Sequence, residues 1–166
     1  MGLLNPVTGT VTGNLLNIAG ATSGVFQAGA AIGVIVTAIV LDRLGRKNSV
    51  YVNAAIGLFG GTLIVAAQNI SMFLAGRFFA GWSSFSFLVL TPVYTTELSP
   101  PKYRGFFVGL NAVFIGTGYS LAGWIGVGFS YSTNPVTQWR GPLGLYLVWP
   151  ALLIVIVFFS PERYVA

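Results

Sequence analysis

Polar positions are so sparse along this chain that they punctuate it. An uncharged run from about Thr22 to Leu41 ends in "DRLGRKN", and a second, about Ser49 to Ala67, ends in "QNIS". A third runs from about Met72 to Thr96 and stops at "ELSPPKYRG"; it carries one charge, Arg77, near its start and a proline, Pro92, near its end. A fourth, about Phe106 to Phe129, is followed by the polar "SYSTNPVTQWRG", and a fifth covers about Leu143 to Ser160. A helix needs about 20 mostly apolar residues to cross roughly 30 Å of hydrocarbon, so each run predicts one transmembrane helix. The missing N–H of Pro92 predicts a kink in the third. None of the runs alternates apolar and polar residues, which argues against a transmembrane β-barrel.

Composition agrees with that pattern. Mean hydropathy is +0.81, 55% of the residues are hydrophobic, and only eight basic and three acidic side chains occur in 166 residues, far outside the range of a soluble domain. The fold class is an all-α membrane protein with residues 1–166 as a single membrane domain. The net charge of +5 would suggest a polyanionic partner in a soluble chain, but bases scattered over short connecting segments form no nucleic-acid face. Cysteine and histidine are both absent, so no disulfide frame, thiolate site or histidine-based metal site is expected, and no cofactor is implied. The same absences argue against an enzyme, because serine or tyrosine without a neighbouring base is not activated. The opening "MGLLNPVTGT" has neither the basic start nor the apolar core of a secretory signal, so an internal helix is expected to start insertion.

Lysine and arginine accumulate on the cytoplasmic side of membrane helices. Arg43, Arg46 and Lys47 follow the first run, Lys102 and Arg104 the third, and Arg163 the fifth, whereas the alternate segments contribute only Arg140. The expected topology therefore has the N-terminus outside and the C-terminus in the cytoplasm. Glycines at helical spacing, as in "GAAIG", "GLFGG" and "GRFFAG", allow helix backbones to approach closely in lipid and point to a compact bundle. Three acids, Asp42, Glu97 and Glu162, fall at three predicted cytoplasmic helix ends among the bases. Anchoring accounts for the bases alone; the acids suggest charge-assisted contacts between those ends. Arg77, about one turn inside the outer end of the third helix, needs water, a polar group or another helix as its partner.

In order and spacing, "DRLGRK", "GRFFAG", "PVYTTELSPPKYRG", "QWR" and "SPERY" resemble the motifs of the sugar porters of the major facilitator superfamily. The resemblance covers about Ser23 to Tyr164 and implies that the five runs are helices two to six of a twelve-helix transporter, with the first helix and the second half lying elsewhere. It implies transport of a sugar or related polyol by alternating access, with protons as a further partner in some members, in a multi-pass protein of the lipid bilayer, most naturally the plasma membrane. Asp42, Arg43, Gly45, Arg46 and Lys47 match the family's cytoplasmic gate motif, with Glu97, Arg104, Glu162 and Arg163 as its expected contacts. Arg77 matches the arginine that stands beside a first-helix aspartate in proton-coupled members.

Departures from the family pattern bear on packing and on sugar recognition. The family usually has glycines two and four residues beyond Gly81, where this chain has Ser83 and Phe85, and the phenylalanine argues against close packing at that turn. The fifth-helix glutamine that commonly bonds sugar hydroxyls is replaced by Ala112; Asn111, next to it, is the substrate-binding candidate, although it points about 100° away on an ideal helix. "SPERY" is two residues shorter than the usual form of that motif. Two other readings stay open from sequence: a truncated, transport-incompetent membrane fragment, and a nutrient receptor on a transporter fold.

Overall fold

The computed structural model describes residues 13–131 and 135–159, and every regular element among them is helical. The first three helices are α1 (Gly13–Leu44), α2 (Arg46–Val65) and α3 (Ile70–Leu98). A single 3₁₀ turn, Pro101–Tyr103, leads into α4 (Arg104–Ser130), which is followed by α5 (Pro135–Leu145) and α6 (Val148–Phe159). Among the described residues, five spans are long and apolar enough to cross a membrane: Asn17–Leu44, Arg46–Val65, Ile70–Glu97, Pro101–Ser130 and Arg140–Val157, the last made of parts of two helices.

The punctuation read from sequence reappears as specific stops. Gly45 alone separates α1 from α2, with φ 81° and ψ 169°, a region that is essentially closed to residues with a Cβ. At the far end of α2 the chain leaves through a tightened turn, Ala66 N–H donating to Thr62 O at 2.9 Å and Ala67 N–H to Ile64 O at 3.3 Å. α3 ends where Ser99 turns extended (φ −84°, ψ 136°), the conformation favoured before a proline, here Pro100. α3 continues through Pro92 as one element. On either side of it the Thr91 and Thr95 hydroxyls donate back to Phe87 O (2.8 Å) and Thr91 O (2.7 Å).

α3 is the centre of the bundle: α1 and α2 each pack along it, while α1 and α2 touch each other sparingly. Glycines set the distances. A Cβ added to Gly29 of α1 would fall on the Phe78 carbonyl oxygen of α3, and one added to Gly81 of α3 would fall on the Phe26 carbonyl oxygen of α1. On the other side of α3, a Cβ at Gly60 of α2 would come within 2.8 Å of the Ala80 backbone nitrogen. Such contacts maximise dispersion where no hydrophobic force separates helix from lipid. Phe85 does not prevent this approach: its ring meets Phe26 edge-on at 6.1 Å between centroids, beside the backbone contact rather than inside it. The expectation of looser packing at that turn is corrected accordingly. Ser83 turns to α2 instead and is 1% exposed.

The helices exceed the apolar runs at several ends, because a helix needs no apolar residue where it leaves the hydrocarbon; α1 begins at Gly13 rather than near Thr22. The fifth run differs in kind. In place of one helix over about 143–160, α5 starts at Pro135 and the chain breaks at Tyr146 and Leu147 before α6. Pro150 lacks the N–H that would bond Tyr146 O and its ring crowds that carbonyl. Leu147 N–H accordingly bonds Gly144 O, three residues back, at 3.1 Å. α6 packs against α2, where a Cβ on Gly57 would come 3.4 Å from Pro150 Cγ, and the break packs there too, a Cβ on Gly61 coming within 2.6 Å of Leu147 Cδ2. α4 stands apart: it touches α3 and α5, and none of its residues is buried.

Candidate functional site

The α1–α2 turn and the end of α3 meet through one ion pair. Arg46 Nε donates to Glu97 Oε2 at 2.8 Å and its Nη2 donates to Oε1 at 2.6 Å. Two parallel bonds between a planar guanidinium and a carboxylate fix orientation as well as distance. Arg46 reaches this position because it is the first residue of α2, directly after the Gly45 turn, and Glu97 because it lies in the last turn of α3. Their side chains are 46% and 41% exposed, so water and salt attenuate the attraction. The α1–α2 and α3–α4 connections therefore lie at the same end of the bundle.

The other sequence candidates surround the pair unequally. Asp42 is exposed and acts on Arg46 electrostatically without direct contact. Arg43 lies in the last turn of α1, where a cation complements the helix dipole, and Lys47 is half-buried in the first turn of α2. Arg104 does not reach Glu97, whose two oxygens Arg46 occupies; its Nε lies 3.4 Å from Ser99 O, tying the start of α4 to the end of α3. Glu162 and Arg163 lie outside the described residues.

At the opposite end, Arg140 donates through Nη2 to Ala67 O at 3.3 Å, which joins α5 to the carbonyl end of α2. Arg77 is half-buried on α3, its guanidinium 5.2 Å from the centre of the Phe73 ring. Its Nε is enclosed and makes no hydrogen bond among the described residues. Arg77 lines a cleft of about 240 Å³ together with Phe26, Ile64, Ala80, Ser84, Leu143 and Tyr146, a cation in a largely apolar wall. Asn111 is half-buried on α4 and outside that cleft; the structure does not bring it together with Arg77.

A buried polar cluster went unread in the sequence. Thr37 of α1 is 2% exposed, Asn53 of α2 1%, and Ser86 of α3 0%. Thr37 Oγ1 lies 3.0 Å from Asn53 Oδ1 and 2.8 Å from Ser86 Oγ. Asn53 Nδ2 donates to Ser49 O at 2.9 Å, and Ser83 Oγ donates to Asn53 O, also at 2.9 Å. The available signal was an asparagine in the middle of an apolar run, which in lipid is expected to find a partner on another helix.

The sugar (and other) transporter family profile matches residues 10–165. Among curated proteins, the chain is 33% identical over 146 residues to an MFS-type transporter, criB, of Aspergillus cristatus, a match covering 88% of this chain and 31% of that protein. It is 31% identical to the glucose transporter GlcP of Staphylococcus epidermidis (85% of this chain, 32% of that protein). It is also 31% identical to myo-inositol transporter 2 of Cryptococcus neoformans (98% and 30%). The solved inward-open structure of the xylose transporter XylE from E. coli shares the fold, with a TM-score of 0.77, 20% identity, and coverage of 88% of this chain and 38% of that one. This chain belongs to the sugar transporter family of the major facilitator superfamily and is a multi-pass integral membrane protein. It spans about a third of the length of the curated relatives it matches.

Proposed function

We propose that this chain is part of a secondary transporter that carries a sugar or related polyol across a membrane, most naturally the plasma membrane, by alternating access. The observation that carries the reading is the two-bond pair between Arg46 and Glu97 in a chain whose family match runs through nearly all of its length. Transporters of this architecture rock one bundle against another about a midplane site, so contacts at the bundle end open and close with each cycle. An ion pair that is half in water suits that use: it is strong enough to bias one state and weak enough to be broken repeatedly.

In this reading the five spans stand for helices two to six of a twelve-helix transporter. The Arg46–Glu97 end faces the cytoplasm and carries the gate, with Asp42, Arg43, Gly45, Lys47 and Arg104 around the pair and Glu162 and Arg163 as further contacts. The family's glucose and inositol members support a hydroxyl-rich small molecule as substrate. Arg77 is the candidate for proton coupling: a cation in a low-dielectric cleft holds a nearby carboxylate ionised, and protonation of that acid releases it. Asn111 remains the substrate-binding candidate. The chain acts as a transporter component rather than as an enzyme.

A chimera tests the reading. Residues 10–165 replace the matching segment of the Staphylococcus epidermidis glucose transporter, and uptake of labelled glucose and myo-inositol is followed in cells lacking their own carriers. Saturable uptake of either compound is the expected result. A chimera that reaches the membrane at the parent's level and carries neither compound refutes it.

A further inference from the structure

The buried groups between α1, α2 and α3 can be ordered by their protons. Asn53 Oδ1 accepts only, and the Thr37 hydroxyl has one proton to give. Thr37 therefore donates to Asn53 Oδ1, and Ser86 donates to Thr37 Oγ1 across their 2.8 Å separation. The amide of Asn53 then donates onward to Ser49 O, and the Asn53 backbone carbonyl accepts from Ser83. Every member of this chain has a partner, and three helices contribute.

We propose that this cluster sets the register that seats Arg46 on Glu97, with Asn53 as the positioning residue at its centre. Asn53 stands seven residues after Arg46 on α2, and Ser86 eleven residues before Glu97 on α3. Both spacings are close to whole numbers of helical turns, so on each helix the cluster and the ion-pair residue share a face. The two contacts differ in what they can enforce. The pair is exposed to water, its long side chains can follow a small displacement, and salt screens it. The cluster sits where water does not reach, and its short side chains have no such freedom. Sliding α3 by one residue moves it about 1.5 Å along its axis and turns it by about 100°, which removes Ser86 from Thr37 and Ser83 from Asn53 O and leaves buried polar atoms unmet. Gly57 narrows the choice further, since even a Cβ there would come within 2.5 Å of Ser83 Oγ. The meaning of the pair as a gate contact rests on the reading above; the register itself does not.

The native chain has no cysteine, so the test is free of background labelling. Arg46→Cys and Glu97→Cys together remove the ion pair and leave two thiols at its ends, and a short rigid bismaleimide measures how often those ends meet in the chain reconstituted in lipid vesicles. With the cluster intact, cross-linking is expected to proceed readily although the charges are gone. Adding Asn53→Leu or Thr37→Val should slow it at least about tenfold, the scale on which one unmet buried hydrogen bond shifts an equilibrium. Thr37→Ser, which keeps the hydroxyl, should restore it. Cross-linking at the parent rate in Thr37→Val overturns the proposal even if that variant melts at a lower temperature, because a merely structural role lowers stability without moving the ends apart. Should Asn53→Leu fail to insert, the contrast between Thr37→Val and Thr37→Ser decides alone. No transport is measured, so a failed transporter reading leaves this outcome unaffected.

Discussion

Arg46 has two features that a lysine cannot supply together: a planar fork that matches both oxygens of Glu97, and a charge that does not depend on pH. In the uptake assay of the chimera, Arg46→Lys should keep insertion and orientation while transport falls roughly two- to fivefold, the range expected for an exposed pair. Glu97→Gln should fall by a similar factor, and the double variant should be little worse than either single one. Transport at the parent rate in Arg46→Lys would reduce the stretch to a topology marker. Gly45 is constrained by backbone rather than by space, since nothing lies within 4 Å of where its Cβ would be; Gly45→Ala should therefore cost about 1 to 3 kcal/mol of stability in a thermal melt. Both residues were legible in the sequence, because "DRLGRK" concentrates charge beside a glycine and the chain offers only three acids as partners. Thr37, Asn53 and Ser86 were not. Asn53 stands out in its apolar run, but its partners Thr37 and Ser86 do not in theirs, and only the relative rotation of three helices brings them together.

Helices α3 and α4 are of similar length and both carry glycine, two residues in α3 and seven in α4, yet they use it differently. The glycines of α3 press on neighbouring backbones, whereas every glycine of α4 has open space where a Cβ would stand. Spacing alone could not separate the two cases, since a small-residue stripe reports the capacity for close approach and not the presence of a neighbour. The contrast is measurable by thermal unfolding in detergent. Gly29→Val, which drives a side chain into the Phe78 carbonyl, should destabilise by at least about 1 to 3 kcal/mol, and Gly116→Ala should cost nothing. Equal losses would contradict the packing described for α1 and α3. The break between α5 and α6 was also only half legible. Pro150 was visible in the fifth run, but hydropathy counts apolar residues and is blind to a carbonyl left without its N–H partner.

For the whole bundle, the testable statement is its orientation. Because the native chain has no cysteine, single thiols at Asn48 and Tyr131, both exposed, report on the two ends. In intact cells a membrane-impermeant maleimide should label position 131 at once and position 48 only after permeabilisation; the reverse pattern would invert the bundle. Asn69, with Ser71 two residues on, completes a glycosylation sequon at the end expected to face outward, but α3 starts at Ile70, leaving it too close to the bilayer. It should stay unmodified, and a mass shift removed by glycosidase would contradict that. The central position of α3 also has a consequence in time. Within this segment α1 and α2 insert before α3, and with so little contact between them little beyond the Thr37–Asn53 hydrogen bond holds the two together. Their glycine grooves wait, facing lipid, until the third span arrives between them. The three-helix core is thus completed by its last inserted member, and ribosome-bound intermediates ending before residue 70 should hold α1 and α2 only loosely together.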